Sequence, residues 1–216
     1  MTMTNMHPAF AAVTERDMQI VQEDIPEIGL IESDEIRQKV TLVFASFLKE
    51  SNFERISEAP GLVKDEPGAT LSPGPPKYDL AHHTSHVVQN ALATARTLKE
   101  FWGIDYRHDV LLAAAILHDA SKLVEFEDRT GRKSELGKIF VHAQVGGVRC
   151  RDAGLPNDVA QIVTFHNFTP PHTHVTPRSL EYILVTYADH AAADPISFVE
   201  GKPTHFDIKK RFFTVD

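Results

Sequence analysis

Apolar positions in this chain recur at helical spacing from end to end. Over residues 34–50, Ile36, Val40, Val43, Phe44 and Phe47 fall three or four apart. Ser33 stands where an N-cap belongs, and Asp34 and Glu35 supply acid to the first turn. From residue 78, the stripe Val88, Ala91, Leu92, Ala95, Leu98 and Trp102 runs to a stop at Gly103. The run from Val110 to Leu117 is apolar on every side, which predicts a central buried helix with Asp109 as its cap. A third segment over 138–153 carries Val141, Val145 and Val148 and ends at Gly154. A fourth starts near Pro156 and puts Val159, Ile162, Val163 and His166 on one face. A fifth covers about 178–193 and closes at Pro195. No alternating strand pattern stands out, so the expected fold class is all-α, a helical bundle.

This pattern divides the chain into three parts. Residues 1–77 hold an N-terminal arm, one helix, and a loop over 60–77 with five prolines and three glycines. The first 32 residues have weak periodicity, so loose packing is expected there. Residues 78–195 form the helical domain, and 196–216 form a C-terminal tail. The helix over 34–50 can pack on its own core or on a second copy, which leaves homo-oligomerisation open.

Composition narrows the function. Lys and Arg number 22 against 30 Asp and Glu, giving a net charge of −8. That balance argues against broad nucleic-acid capture but not against a small anionic substrate. The wholly apolar run Val110 to Leu117 is too short to span a bilayer. The N-terminus shows no basic cluster followed by an apolar stretch, so the expected location is the cytoplasm. The single Cys150 can form no intramolecular disulfide and reads as a small core residue. Histidine is abundant, with 12 against a single Trp, so the positions of these histidines carry the functional argument.

His118 and Asp119 follow directly on eight apolar residues. Polar groups there are costly unless they are paired or bind metal. Lys122, four residues after His118, would share its helix face and suit an anionic substrate. His83, His142, His166 and Asp189 lie in apolar settings on four other predicted helices. Each alone is an ordinary core residue. Together they are imidazole and carboxylate donors from several helices, which is how bundles build one- and two-metal sites. The acidic stretch 125–128 reads as the solvated end of the central helix.

His83, His118-Asp119 and Asp189 resemble the H…HD…D signature of the HD superfamily of metal-dependent phosphohydrolases. HHTSHVVQNALA is similar to that family's first helix, and HDASK to its HDxxK motif. HAQVGGVRCRDAGLPNDVAQIVTFHN resembles the HDIG-type and HD-GYP branches, which insert two further histidines, here His142 and His166. His82 and His86 neighbour the first position, and the Val87 and Ala91 spacing selects His83. The chain departs from the branch at Asn167, where a His or Asp is usual, and FTPPHTHVTP replaces the GYP motif.

This resemblance implies an HD-domain bundle with its metal site at the centre. One divalent ion would sit on His83, His118, Asp119 and Asp189, and a second on His142 and His166 with Asp119 bridging. Iron or manganese is favoured, with zinc or magnesium allowed. Asp119 and Lys122 would be catalytic, and His86, Asn167, His172, His174 and Arg178 would reach the substrate. The implied reaction is hydrolysis of a phosphate ester on a nucleotide or small metabolite. Di-iron oxygenases that break C–C or C–P bonds with O₂ use the same donors, and some relatives are zinc hydratases or lyases. A non-enzymatic regulatory module is the remaining alternative.

Overall fold

The computed structural model describes residues 7–61, 78–166, 179–202, 204, 205 and 207. Among these residues there is no strand, and the chain is helical as expected. The helices are α1 (Pro8–Ala11), α2 (Glu15–Asp24), α3 (Asp34–Glu50), α4 (Leu80–Trp102), α5 (His108–Leu117), α6 (Lys122–Glu125), α7 (Glu135–Ile139), α8 (His142–Asp152), α9 (Asn157–Phe165) and α10 (Leu180–Val199).

Local chemistry sets the clearest boundaries. Ser33 accepts from Ile36 N and opens α3, while Asp79 accepts from His82 N and opens α4. Gly103, at φ 65°, ends α4 in the left-handed conformation that a side chain disfavours. α5 is the axis of the bundle. Leu111 through Leu117 are buried without a break, and α3, α4, α9 and α10 pack around them. Burial of each such Leu or Ile stabilises the fold by about 1.5–3 kcal/mol.

Several elements differ from their sequence pattern. Asp109 does not cap its own helix. Its carboxylate accepts from the backbone N–H groups of Glu32 (2.8 Å) and Ser33 (2.9 Å), tying the start of α3 to the start of α5. The segment over 138–153 is two helices, because the chain turns extended at Phe140 and Val141. α10 continues through Pro195 to Val199, held by the buried Ala192, Ala193 and Ser197 on its packed face. Residues 7–31 are not loosely packed: Phe10, Val21, Ile25, Ile28 and Ile31 are buried in the main core. α3 lies on this chain's own α5, α6 and α8. Arg149 of α8 locks that contact. It donates to Ser46 Oγ (2.7 Å) and to Glu50 (3.0 Å), and its guanidinium lies 4.5 Å from the Phe47 ring centre.

α8 and α9 approach closely through two glycines. A Cβ on Gly147 would stand 1.8 Å from Thr164 Oγ1, and one on Gly146 would stand 2.9 Å from Val163 Cγ1. Only residues without side chains fit that interface as it is packed.

Candidate metal centre

Four buried residues from three helices meet beside the end of α5. His83 lies in the first turn of α4, His118 follows the last residue of α5, Asp119 comes next, and Asp189 lies within α10. His83 Nε2 is 3.2 Å from Asp119 Oδ2, 3.2 Å from Asp189 Oδ1 and 3.2 Å from His118 Nε2. Each residue offers one donor atom within 4.8 Å of the others. Asp119, His142 and His166 form a second group of the same kind. Here Asp119 uses its other oxygen: Oδ1 lies 3.1 Å from His142 Nε2 and 3.5 Å from His166 Nε2. Asp119 therefore turns one oxygen to each group.

The ring nitrogens are oriented before any ligand arrives. His118 Nδ1 meets Ala115 O at 2.7 Å, and His166 Nδ1 meets Val163 O at 2.8 Å. A carbonyl only accepts, so each Nδ1 carries a proton and each Nε2 is turned inward. Both histidines cap the ends of their helices, where carbonyls of the last turn lack helical partners. His83 Nδ1 faces the Tyr78 hydroxyl at 3.5 Å, and that hydroxyl donates to Ala192 O at 2.6 Å.

The donor set fits a divalent cation. His83 Nε2 and His118 Nε2 face each other at 3.2 Å, and the buried Asp119 Oδ1 makes no aligned hydrogen bond. Converging ring nitrogens and an orphaned buried oxygen are the kind of donor set that a metal satisfies. The electrostatics agree. Burial pushes the Asp119 carboxyl up, but the Lys122 ammonium and His118 outweigh it and hold it well below the usual carboxylate range. Lys122 Nζ is 2.6 Å from Asp119 Oδ2 and donates to Gly61 O at 3.1 Å. Burial would lower the Lys122 pKa, yet the Asp119 charge raises it, so this lysine keeps its proton. Asp189 is also held low, against the effect of burial, by the hydrogen bond to His83. Burial lowers the pKa of His166. His142 is pushed up to about 9, because Asp119 and Glu125 offset its burial.

A family model described as HD domain matches residues 80–194, more than half of the chain. The chain belongs to the HD domain family. Among curated proteins it is similar to the dihydroneopterin 2',3'-cyclic phosphate phosphodiesterase of Methanocaldococcus jannaschii. The two are 28% identical over 172 residues, covering 74% of this chain and 64% of the relative. This chain thus spans less than two thirds of that protein's length. No solved structure matches it.

Within the HD domain, the six residues His83, His118, Asp119, His142, His166 and Asp189 come together in these two groups. Lys122 meets Asp119 rather than sharing a face with His118, because the helix breaks at His118 and α6 restarts at Lys122. His86 is exposed and belongs to neither group. Its Nδ1 lies 3.4 Å from the Tyr78 hydroxyl. Asn167, His172, His174 and Arg178 lie outside the described residues. Cys150 is a buried thiol with its pKa pushed up to about 12 by burial, in keeping with a core role. No described helix is long and apolar enough to cross a membrane.

Two neighbours of the site were not singled out by sequence. Tyr78 sits behind His83. Glu125, expected in solvent, is buried, with Oε2 3.1 Å from His142 Nδ1. Its position six residues after Asp119 was the available signal, and the acidic residues that follow it masked that signal.

Proposed function

We propose that this protein is a metal-dependent phosphohydrolase that cleaves a small phosphate ester, with a cyclic or diester phosphate as the preferred class. The observation that carries this reading is the shared carboxylate: Asp119 gives Oδ2 to one donor group and Oδ1 to the other. The relative's name, a cyclic phosphate phosphodiesterase, supports the substrate class.

His83, His118, Asp119 and Asp189 would hold one divalent ion, and Asp119, His142 and His166 a second. Bound there, such ions supply Lewis acidity toward phosphoryl oxygens and acidify water near neutral pH. The chain's own groups do the rest. Asp119 stays ionised beside Lys122 and keeps both oxygens available. His118 and His166 keep their protons at Nδ1, so each Nε2 remains a donor. Lys122 stays protonated and acts as a fixed positive charge, which favours an anionic group at that edge of the cluster.

The test is hydrolysis by protein loaded with Mn²⁺ or Fe²⁺, assayed on 2',3'-cyclic nucleotides, bis-p-nitrophenyl phosphate and p-nitrophenyl phosphate. Turnover should vanish with chelator and in Asp119→Asn. No turnover on any phosphate ester, together with substrate-dependent O₂ uptake by the iron-loaded protein, would overturn the reading in favour of an oxygenase.

A further inference from the structure

His142 is the one histidine of the six donors that begins a helix. His118 and His166 end theirs, and the carbonyl three residues earlier fixes each ring. A residue at the first position of a helix has no preceding helical turn to offer such a carbonyl.

Glu125 stands beside the His142 ring. Its Oε2 is 3.1 Å from His142 Nδ1, while the opposite nitrogen of the same ring is 3.1 Å from Asp119 Oδ1. Both oxygens are buried, neither has an aligned hydrogen bond, and this ring is within ion-pair distance of each. The glutamate is itself held. Its side chain is buried, and Oε1 lies 3.5 Å from Lys133 Nζ. Its backbone carbonyl accepts from Ser134 N at 2.9 Å. The start of α7 passes so close that a Cβ on Gly137 would lie 2.3 Å from that carbonyl oxygen. The backbone of His142 is fixed separately, since Ser121 Oγ donates to His142 O at 2.6 Å.

We propose that Glu125 is a positioning residue. It accepts the Nδ1 proton of His142, so that Nε2 is turned to Asp119 as a metal donor, and it strengthens that donor more than a carbonyl would. This rests on the two-ion reading above. A carboxylate behind a ligating histidine fixes the tautomer and raises the basicity of the ring. The group of Asp119, His142 and His166 therefore owes its hold on an ion to a residue that never touches the ion.

The experiment is titration of the metal-free full chain with Zn²⁺ and with Mn²⁺, with stoichiometry by elemental analysis and dissociation constants by calorimetry. Wild type should take up two ions. Glu125→Gln, which keeps the shape and a weaker acceptor, should weaken the second ion about 10- to 100-fold and leave the first unchanged. Glu125→Ala should weaken the second ion further. Wild-type constants for both variants would overturn the proposal. So would equal loss of both ions with a lowered melting temperature, which marks a folding role. A measurement on the zinc-loaded wild type needs no variant: ¹⁵N–¹H correlation of the His142 ring should show the Nδ1–H tautomer, and an Nε2–H tautomer would overturn the proposal. If wild type takes one ion and His142→Ala takes the same one, the two-ion reading itself fails, and Glu125 has no ion to serve.

Discussion

The two donor groups share Asp119 and differ in what carries them. His83, His118 and Asp189 stand on α4, α5 and α10, which pack directly on one another through the bundle core. His142 and His166 stand on α8 and α9, and His142 comes directly after the extended link at Phe140 and Val141. Side-chain exposure does not separate them: His166 is as buried as His83, at 1%, while Asp189 at 9% and His142 at 11% are the most exposed members of their groups. The first group is built into the hydrophobic core, so its geometry is fixed by everything that stabilises the fold. The second is assembled from local devices: a carboxylate behind one ring, a helix-end carbonyl behind the other, and a glycine interface that sets their spacing. A core-built site resists perturbation, and a locally assembled one can be tuned.

The largest effect should come from the residue that joins the groups. Asp119→Asn should abolish binding of both ions and reduce turnover by at least about 10³-fold. It also leaves the buried Lys122 ammonium without its partner, a loss of about 3–5 kcal/mol. Elemental analysis and denaturant unfolding read the two consequences. Retention of either ion at wild-type affinity would show that the groups do not depend on a common carboxylate.

Next come single donors. His83→Ala should remove the ion of the core group and lower turnover about 10²- to 10³-fold, while His142→Ala should remove only the other ion. Stoichiometry falling from two to one in His142→Ala, with the remaining constant unchanged, is the clearest sign that the groups are separable.

A smaller effect concerns pH. In the metal-free protein the His142 pKa is raised to about 9. The folded state therefore binds more protons than the unfolded state between pH ~6.5 and ~9. Its contribution to stability is fully present below pH ~6.5 and is lost as pH rises toward ~9. Affinity for the second ion should move the opposite way across that window, because the ion displaces this proton. Melting temperature and calorimetry against pH check both trends, and His142→Gln should flatten them.

The smallest effect is at the interface of α8 and α9. Gly147→Ala puts a methyl against Thr164 Oγ1 and should cost about 1–3 kcal/mol. It should weaken the second ion by several-fold and leave the first alone. Thr164→Ala in the same chain should restore much of both losses.

How far the sequence could be read follows the same division. α3 and the end of α4 were legible because Ser33 and Gly103 act within a few positions of the chain, while Asp79, which caps the start of α4, was not singled out. The core group was legible because His118 and Asp119 interrupt an unbroken apolar run. Glu125 was not, since its burial comes from α7 folding back over it through Ser134 and Gly137, a contact made nine or more residues away. The N-terminal arm was hidden by Pro26, which splits one apolar face between α2 and a short 3-10 turn at Pro26–Leu30. Asp109 carried a capping signal that the fold uses on a different helix.

The clamp of Arg149 on α3 has a consequence for where this molecule can be cut. The residues shared with the family begin at 80, but Ser46, Phe47 and Glu50 lie well before that point and grip the helix that carries His142. A fragment trimmed to the shared region would lose that grip and bare the side of α5 that α3 covers. Ancestry and autonomy draw different boundaries here: the stretch recognisable in relatives is smaller than the stretch that must travel together in any fusion, truncation or transplant.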